Sequence, residues 1–265
     1  MILAITALAA ATASQPAVRV AREAEAEFDR YTTRVEETIR HEESSVVSFL
    51  SIPVGSAAER TQREARLRQG EVLIEKSGST PADVPGGLIH DWVGVVFMPH
   101  TGLAQALSVV QDYDHLTNHY APEVTASRLL SHTGDDFHIL IRTREHKVIT
   151  VVLDAEYDVH YGRLDPTHQF SFSRSTKITE VADVGTQHEH AVTEGENHGY
   201  LWRLNAYWRF VEAPDGVFVE CEAVSLTRNV PTGLGWLIGP FIESIPRESL
   251  RATLMHTRDA AEKAK

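Results

Sequence analysis

The stretch YLWRLNAYWRFVEAPDGVFVECEAVSLTRNV, residues 200–230, constrains this chain most, because it carries both a turn and a register. Ala213-Pro214-Asp215-Gly216 places Pro and Gly at the second and fourth positions of a type I turn. Pairing outward sets Phe210 opposite Val219, Trp208 opposite Cys221, Ala206 opposite Ala223, Leu204 opposite Ser225 and Trp202 opposite Thr227. The other face pairs Arg209 with Glu220 and Tyr207 with Glu222, which suits solvent or a polar network. Large rings on one strand therefore face Cys, Ala, Ser and Thr on the next. Interiors are close-packed, so a helix or a ligand must occupy the space above the small residues.

More strands precede this pair. LIHDWVGVVFM reads as a strand, followed by one or two short helices in LAQALSVVQDYDHLTNHYAPEV. Next come VTASRLLSH, FHILIRTREHKVITVVLDAEYDVHYG with a turn expected at Glu145-His146-Lys147, and HQFSFSRSTKITEV. Within the second of these, Leu153, Ala155, Tyr157, Val159 and Tyr161 alternate with Asp154, Glu156, Asp158 and His160. Successive strands without long intervening helices predict an antiparallel sheet and an α+β class.

Helices are expected at both ends. Val20, Ala24, Phe28, Tyr31, Val35 and Ile39 recur at helical spacing within Ala17–Leu50, before Pro53 and Gly55. A charged helix over Thr61–Gln69, a short strand in GEVLIEK and a linker, SGSTPADVPGG, follow. Residues 14–80 thus read as a helical N-terminal extension and 81–265 as the main domain. The extension is expected to cover the convex face or an edge of the sheet; docking on a partner is the alternative. At the other end, GLGWLIGPFIESIP reads as a loop and half-helix bent at Gly233, Gly235 and Gly239. The final helix is expected from Pro246, with Leu250, Leu254 and Ala261 on one face.

Residues 1–13 form an apolar run ending in Ala11-Thr12-Ala13, a small-x-small pattern that reads as an export signal although a basic start is missing. A secreted or periplasmic location is expected. The net charge of −12 argues against nucleic acid or an anionic membrane as main partner, and any membrane contact is expected to be transient. Cys221 is the single cysteine, so neither an intrachain disulfide nor a thiolate metal cluster is available.

Signals for chemistry are sparse. His188, Glu189, His190, Glu194, Glu196 and His198 crowd one segment without zinc-site spacing, and read as a solvated loop between strands. His115 and His119 stand four apart and read as helix-surface residues. There is no Gly-x-Ser-x-Gly elbow and no phosphate-binding loop, and Cys221 reads as a small buried group. Asp154, Glu156, Glu220 and Glu222 fall on the outer face and are expected to be solvated, with Arg203 and Arg209 pairing glutamates there. No metal and no cofactor is expected.

The order of elements in IHDWVGVVFMP, LSVVQDYDHLTNHYAPEV and YLWRLNAYWRFVE through GVFVECEAVSLTRNVPTGLGWLIGPFIESIPRESLRATL resembles the START-like helix-grip superfamily. That superfamily includes lipid-transfer domains, polyketide cyclases and pollen-allergen-like proteins; the resemblance spans about Gly86 to Lys265. It implies a curved antiparallel sheet wrapped around a long C-terminal helix, with a cavity between them for a hydrophobic molecule. No catalytic residue can be carried over, since the superfamily has no universal signature. The expected ligand-facing residues are Tyr157, Trp202, Leu204, Ala206, Trp208 and Phe210 from the strands, with Cys221 and Ala223 opposite. Trp236, Phe241, Ile242 and Leu250 are expected to close the cavity from the helix side. Three readings stand: a carrier of a lipid or isoprenoid-like molecule, a cyclase- or hydratase-like enzyme in the same cavity, and an interaction module acting through the N-terminal helix.

Overall fold

A computed structural model describes residues 6–43, 50, 56–78, 80, 82–146, 150–193, 196–229 and 235–263; for 6–20, 43, 57 and 235–243 it describes the backbone alone. Its centre is the predicted hairpin. Strands β9 (Arg203–Ala213) and β10 (Gly216–Arg228) pair with Phe210↔Val219, Trp208↔Cys221, Ala206↔Ala223 and Leu204↔Ser225, the register expected from the turn.

Around it the strands close into one antiparallel sheet. They are β1 (Leu73–Lys76), β2 (Ala82–Val84), β3 (Gly87–Pro99), β4 (Val124–Thr133), β5 (Asp136–His146), β6 (Thr150–Asp165), β7 (His168–Ala182) and β8 (His190–Ala191). The sheet order is β1-β3-β10-β9-β7-β6-β5-β4, with β2 beside β3 and β8 beside β7. Of the turn expected at Glu145-His146-Lys147, Glu145 and His146 instead belong to β5, paired with Val151 and Thr150, and Lys147 lies outside the described residues. SGSTPADVPGG, expected as a plain linker, contains β2, whose pairing with β3 supplies backbone partners the composition does not reveal. β1 likewise joins β3, so part of the predicted extension belongs to the main sheet.

The period-two pattern gives the sheet two unlike faces. On the concave face lie α3 (Leu103–Val110), α4 (Leu116–Tyr120) and α5 (Gly235–Lys263). Leu103, Ala106, Leu107 and Val110 recur at three and four, and all are buried against the sheet. Helix α5 reaches the sheet at Gly94 of β3. A Cβ there would lie 2.5 Å from Leu254 Cδ1 and 3.3 Å from Leu250 Cδ2, so a bare backbone lets the helix seat. The far end of α5 is tied to α3 by Gln105 Nε2 donating to the Ala261 carbonyl at 2.6 Å. This is the helix-grip arrangement.

Helix α5 begins eleven residues before the expected Pro246. Ile238, Phe241, Ile242 and Ile245 repeat at helical spacing, and that periodicity prevails over the two prolines and two glycines the helix contains.

On the convex face lies α1 (Thr6–Glu43), starting earlier than the expected 17; residues 44–49 of the expected span lie outside the described residues. Its Ala24, Phe28 and Ile39 pack with Ile89, Phe172, Tyr207, Val224 and Leu226 of the sheet. α2 (Ala57–Arg68) follows, opened by a capping box in which Ser56 and Glu59 satisfy each other's backbone N–H.

Candidate functional site

The concave face is graded by residue size across its central strands. One row runs Val159, Ser173, Ala206, Ala223, Trp92 through β6, β7, β9, β10 and β3. Its middle three members are small and sit on adjacent strands, so they form a low patch roughly 10 Å wide. Val159 and Trp92 wall it across the strands, while Trp208 and Leu204 flank Ala206 along its own strand. Ser173, Ala206 and Ala223 remain partly exposed although their strands are central. Helix α5 bears on the neighbouring strand, with Leu250 and Leu254 over Gly94.

Tyrosines and hydroxyls ring this interior. Tyr113 and Tyr161 share a hydroxyl–hydroxyl bond of 2.7 Å, and Tyr120 bonds Thr257 at 3.0 Å. Ser175 Oγ accepts from the Leu204 N–H at 2.9 Å. His90 is buried opposite Ser225, with Nε2 3.3 Å from Thr227 Oγ1. Ser171, Ser173 and Ser175 escaped the sequence reading. Their signal is the alternation in FSFSRS, where every inward position of one strand is serine.

The expected ligand-facing residues divide as follows. Tyr157, Leu204, Ala206, Trp208, Phe210, Cys221, Ala223 and Leu250 all belong to the concave cluster. Phe210 is fully buried and stacks on Trp208 with ring centroids 6.1 Å apart, and Cys221 is buried, its thiol pushed up by desolvation. Trp202 is a correction: it packs with the convex cluster. Pairing ends at Arg203↔Leu226, Gly199 turns the chain at a φ of 76°, and the indole lies over that glycine with Nε1 donating to Asn197 Oδ1 at 3.2 Å. The side chains of Trp236, Phe241 and Ile242 lie outside the described residues.

The outer carboxylates divide too. Asp154 takes a two-pronged bond from Arg142 at 2.6 and 2.8 Å, half-exposed on the outer face. Glu220 and Glu222, expected in solvent, are buried on the α1 side of the sheet, where Arg209 supplies their counter-charge. Arg209 is 0% exposed and reaches Glu42 of α1 at 2.6 Å and Glu220 of β10 at 2.5 Å. Arg174 grips Glu36 of α1 with bonds of 2.6 and 2.8 Å, and Tyr207 donates to the same carboxylate at 3.2 Å. Arg203 pairs with Asp29 at 3.2 Å, not with a glutamate. Tyr31 donates to Asp91 at 2.9 Å. Burial lifts the Asp91 carboxyl to about 6, and burial together with the Asp91 charge pushes Glu222 well above its ordinary range. The ion pairs of Glu36, Glu42 and Asp29 fasten α1 to the sheet.

The remaining chemistry-bearing residues are engaged locally. His115 and His119 both bond Asp112, and Glu180 accepts from the His198 ring and from the N–H groups of His198, Gly199 and Tyr200. Among the described residues no cluster of three or more His, Cys, Asp or Glu has metal-binding geometry. A cleft of about 240 Å³ opens between α2, β3 and the end of α5, beside Arg68 and Arg258. Both arginines are committed, to Asp215 and Glu64 and to the Gly70 carbonyl and Asp259 respectively.

No family model and no curated protein matches the chain. Solved structures similar to it include a lipid transfer protein and an aromatase/cyclase. A STAR-related lipid transfer protein of Xanthomonas axonopodis is 19% identical, with a TM-score of 0.42 over 70% of this chain and 98% of that one. A Streptomyces aromatase/cyclase is 12% identical, with a TM-score of 0.43 over 66% and 94%. A Thermus thermophilus protein is 12% identical, with a TM-score of 0.47 over 65% and 97%. All three scores lie under 0.5.

Proposed function

We propose that this protein binds a hydrophobic small molecule, of lipid or isoprenoid size, in the hollow between the sheet and α5. The observation that carries this reading is the partly exposed floor of Ser173, Ala206 and Ala223 in the middle of the sheet. Small residues on central strands waste burial unless something apolar lies on them. Trp208 and Leu204 beside the floor offer that molecule large apolar surfaces. In this reading the protein is exported.

The test is native mass spectrometry of the purified protein, with organic extraction of anything released, beside the variant Ala206→Trp. A stoichiometric apolar molecule on the wild type and none on the variant supports the reading. A wild type that is empty and takes up no member of a lipid and polyketide panel overturns it.

A second reading is a cyclase- or hydratase-like enzyme in the same hollow. One observation favours it: His90 brings an imidazole to the concave interior beside Ser225 and Thr227. Turnover that is lost in His90→Gln while binding persists would mark an enzyme.

A further inference from the structure

Each buried or half-buried tyrosine but one spends its hydroxyl on a partner. Tyr31 gives to Asp91, Tyr113 and Tyr161 bond each other, Tyr120 bonds Thr257, and Tyr207 gives to Glu36. Tyr157 is 8% exposed, and its hydroxyl makes no hydrogen bond among the described residues. Burial alone acts on its phenol, raising it above the ordinary range, with no charge or hydrogen bond contributing. A hydroxyl with no protein partner on so buried a ring needs a polar group that arrives with solvent or ligand.

Its position says which. Tyr157 stands on the concave face of β6, opposite Ser175 and one row from Ser173. A phenol there borders the floor of the hollow. The concave positions of the central strands, 90, 92 and 94 on β3, 221, 223 and 225 on β10, 204, 206 and 208 on β9 and 171, 173 and 175 on β7, carry no Lys, Arg, Asp or Glu. An ionised ligand would lose its hydration there without gaining a counter-charge.

We infer that the hollow takes an uncharged apolar molecule bearing a hydroxyl or carbonyl oxygen, and that the Tyr157 hydroxyl engages that oxygen. This rests on the hollow being a binding site. The phenol then selects among apolar molecules of equal size by one polar atom, because a partnerless analogue leaves the hydroxyl unsatisfied.

Calorimetric titration with naphthalene and with naphthol at neutral pH tests it, since the two differ by one hydroxyl. Wild type is expected to prefer naphthol by about tenfold. Tyr157→Phe, which keeps the ring, is expected to weaken naphthol about tenfold and leave naphthalene unchanged. Ala206→Trp, which fills the floor, is expected to bind neither. Equal affinity of the wild type for both probes overturns the inference and spares the hollow, as does a preference that survives in Tyr157→Phe. Failure of the wild type to bind either probe overturns the hollow itself, and the inference with it. The melting curve of Tyr157→Phe, expected at or above that of the wild type, confirms that the fold is intact.

Discussion

Asp91 and Glu222 are neighbours on adjacent strands of the convex face, both buried beneath α1. Asp91 accepts from the Tyr31 hydroxyl at 2.9 Å, and burial raises both carboxyls. Two carboxyls taken out of water side by side favour the protonated state, because burial and their mutual repulsion both penalise the charges. Farther along the same helix the opposite logic holds. Burial of Glu36 would raise its carboxyl, but Arg174, Tyr207 and Arg40 outweigh that and hold it below the ordinary range. One helix is therefore fastened by a group that must keep its proton and by another that must lose it.

The two contacts oppose each other in pH. Asp91 is lifted from 3.8 to about 6 and Glu222 lies well above 4.5, so their contribution is complete below pH about 4 and is lost as pH rises through 6 and beyond. The Asp91 shift alone corresponds to about 3 kcal/mol. Glu36 contributes above its ordinary 4.5, and that contribution is lost as pH falls through its depressed value. The melting temperature is expected to peak near pH about 5 and to decline toward alkaline pH. Asp91→Asn removes one of the two charges and should flatten the alkaline limb in melts taken from acid to alkaline pH. An unchanged limb in that variant would sink the argument.

Arg209 is the hub of the same layer. It is 0% exposed and stands between Glu42, Glu220 and Glu222. Arg209→Met leaves buried carboxylates without a counter-charge and is expected to cost about 3–5 kcal/mol in urea unfolding. Adding Glu220→Leu should recover part of that loss, since a buried pair replaced as a unit is far less costly than one broken. A single variant within 1 kcal/mol of wild type, taken roughly as the exposed-pair limit, would show the layer to be hydrated.

Gly94→Ala tests how α5 is seated. The new methyl would lie 2.5 Å from Leu254 Cδ1, inside contact distance. Destabilisation of about 1–3 kcal/mol is expected. Leu254→Ala in the same chain should relieve the clash, so the pair is expected to be less destabilised than the sum of its parts in a double-mutant cycle. Strict additivity would mean that the helix does not bear on the strand there.

Tyr161→Phe and Tyr157→Phe should differ in sign or nearly so. Tyr161→Phe removes the 2.7 Å bond to Tyr113 and is expected to cost about 1 kcal/mol in thermal unfolding. Tyr157→Phe removes a hydroxyl that has no bond to lose, and is expected to be neutral or stabilising. Equal losses would contradict the hydrogen-bond assignment.

Much of the central sheet is legible in the chain, because Pro214 and Gly216 fix a turn and the turn fixes a register that alternation then propagates to Leu204 and Ser225. The limit comes at Trp202, where Gly199 redirects the chain and periodicity no longer reports the face. Alternation also places Glu220 and Glu222 correctly on the outer side yet says nothing about what covers them. The apolar stripe of α1 reads as a contact face, but Glu36 and Glu42 read as its solvent side until Arg174 and Arg209 are found across from them. At the other end, Gly and Pro in GLGWLIGPFIESIP suggest a loop, whereas the spacing of Ile238, Phe241, Ile242 and Ile245 suggests the helix that forms. The hollow is legible only in part. Ala206 and Ala223 announce it from one hairpin, while Ser173 completes the floor from a strand whose alignment no local turn specifies.

The seat of α5 on Gly94 also sets a lever. From Leu250 to Gly235 is fifteen residues, about 22 Å of helix, with the pivot at one end. A tilt of about 10° there displaces Gly235 by roughly 4 Å, close to the thickness of an aromatic ring. A side-chain-sized adjustment at one glycine would thus be felt as a ring-sized displacement at the far end of the helix.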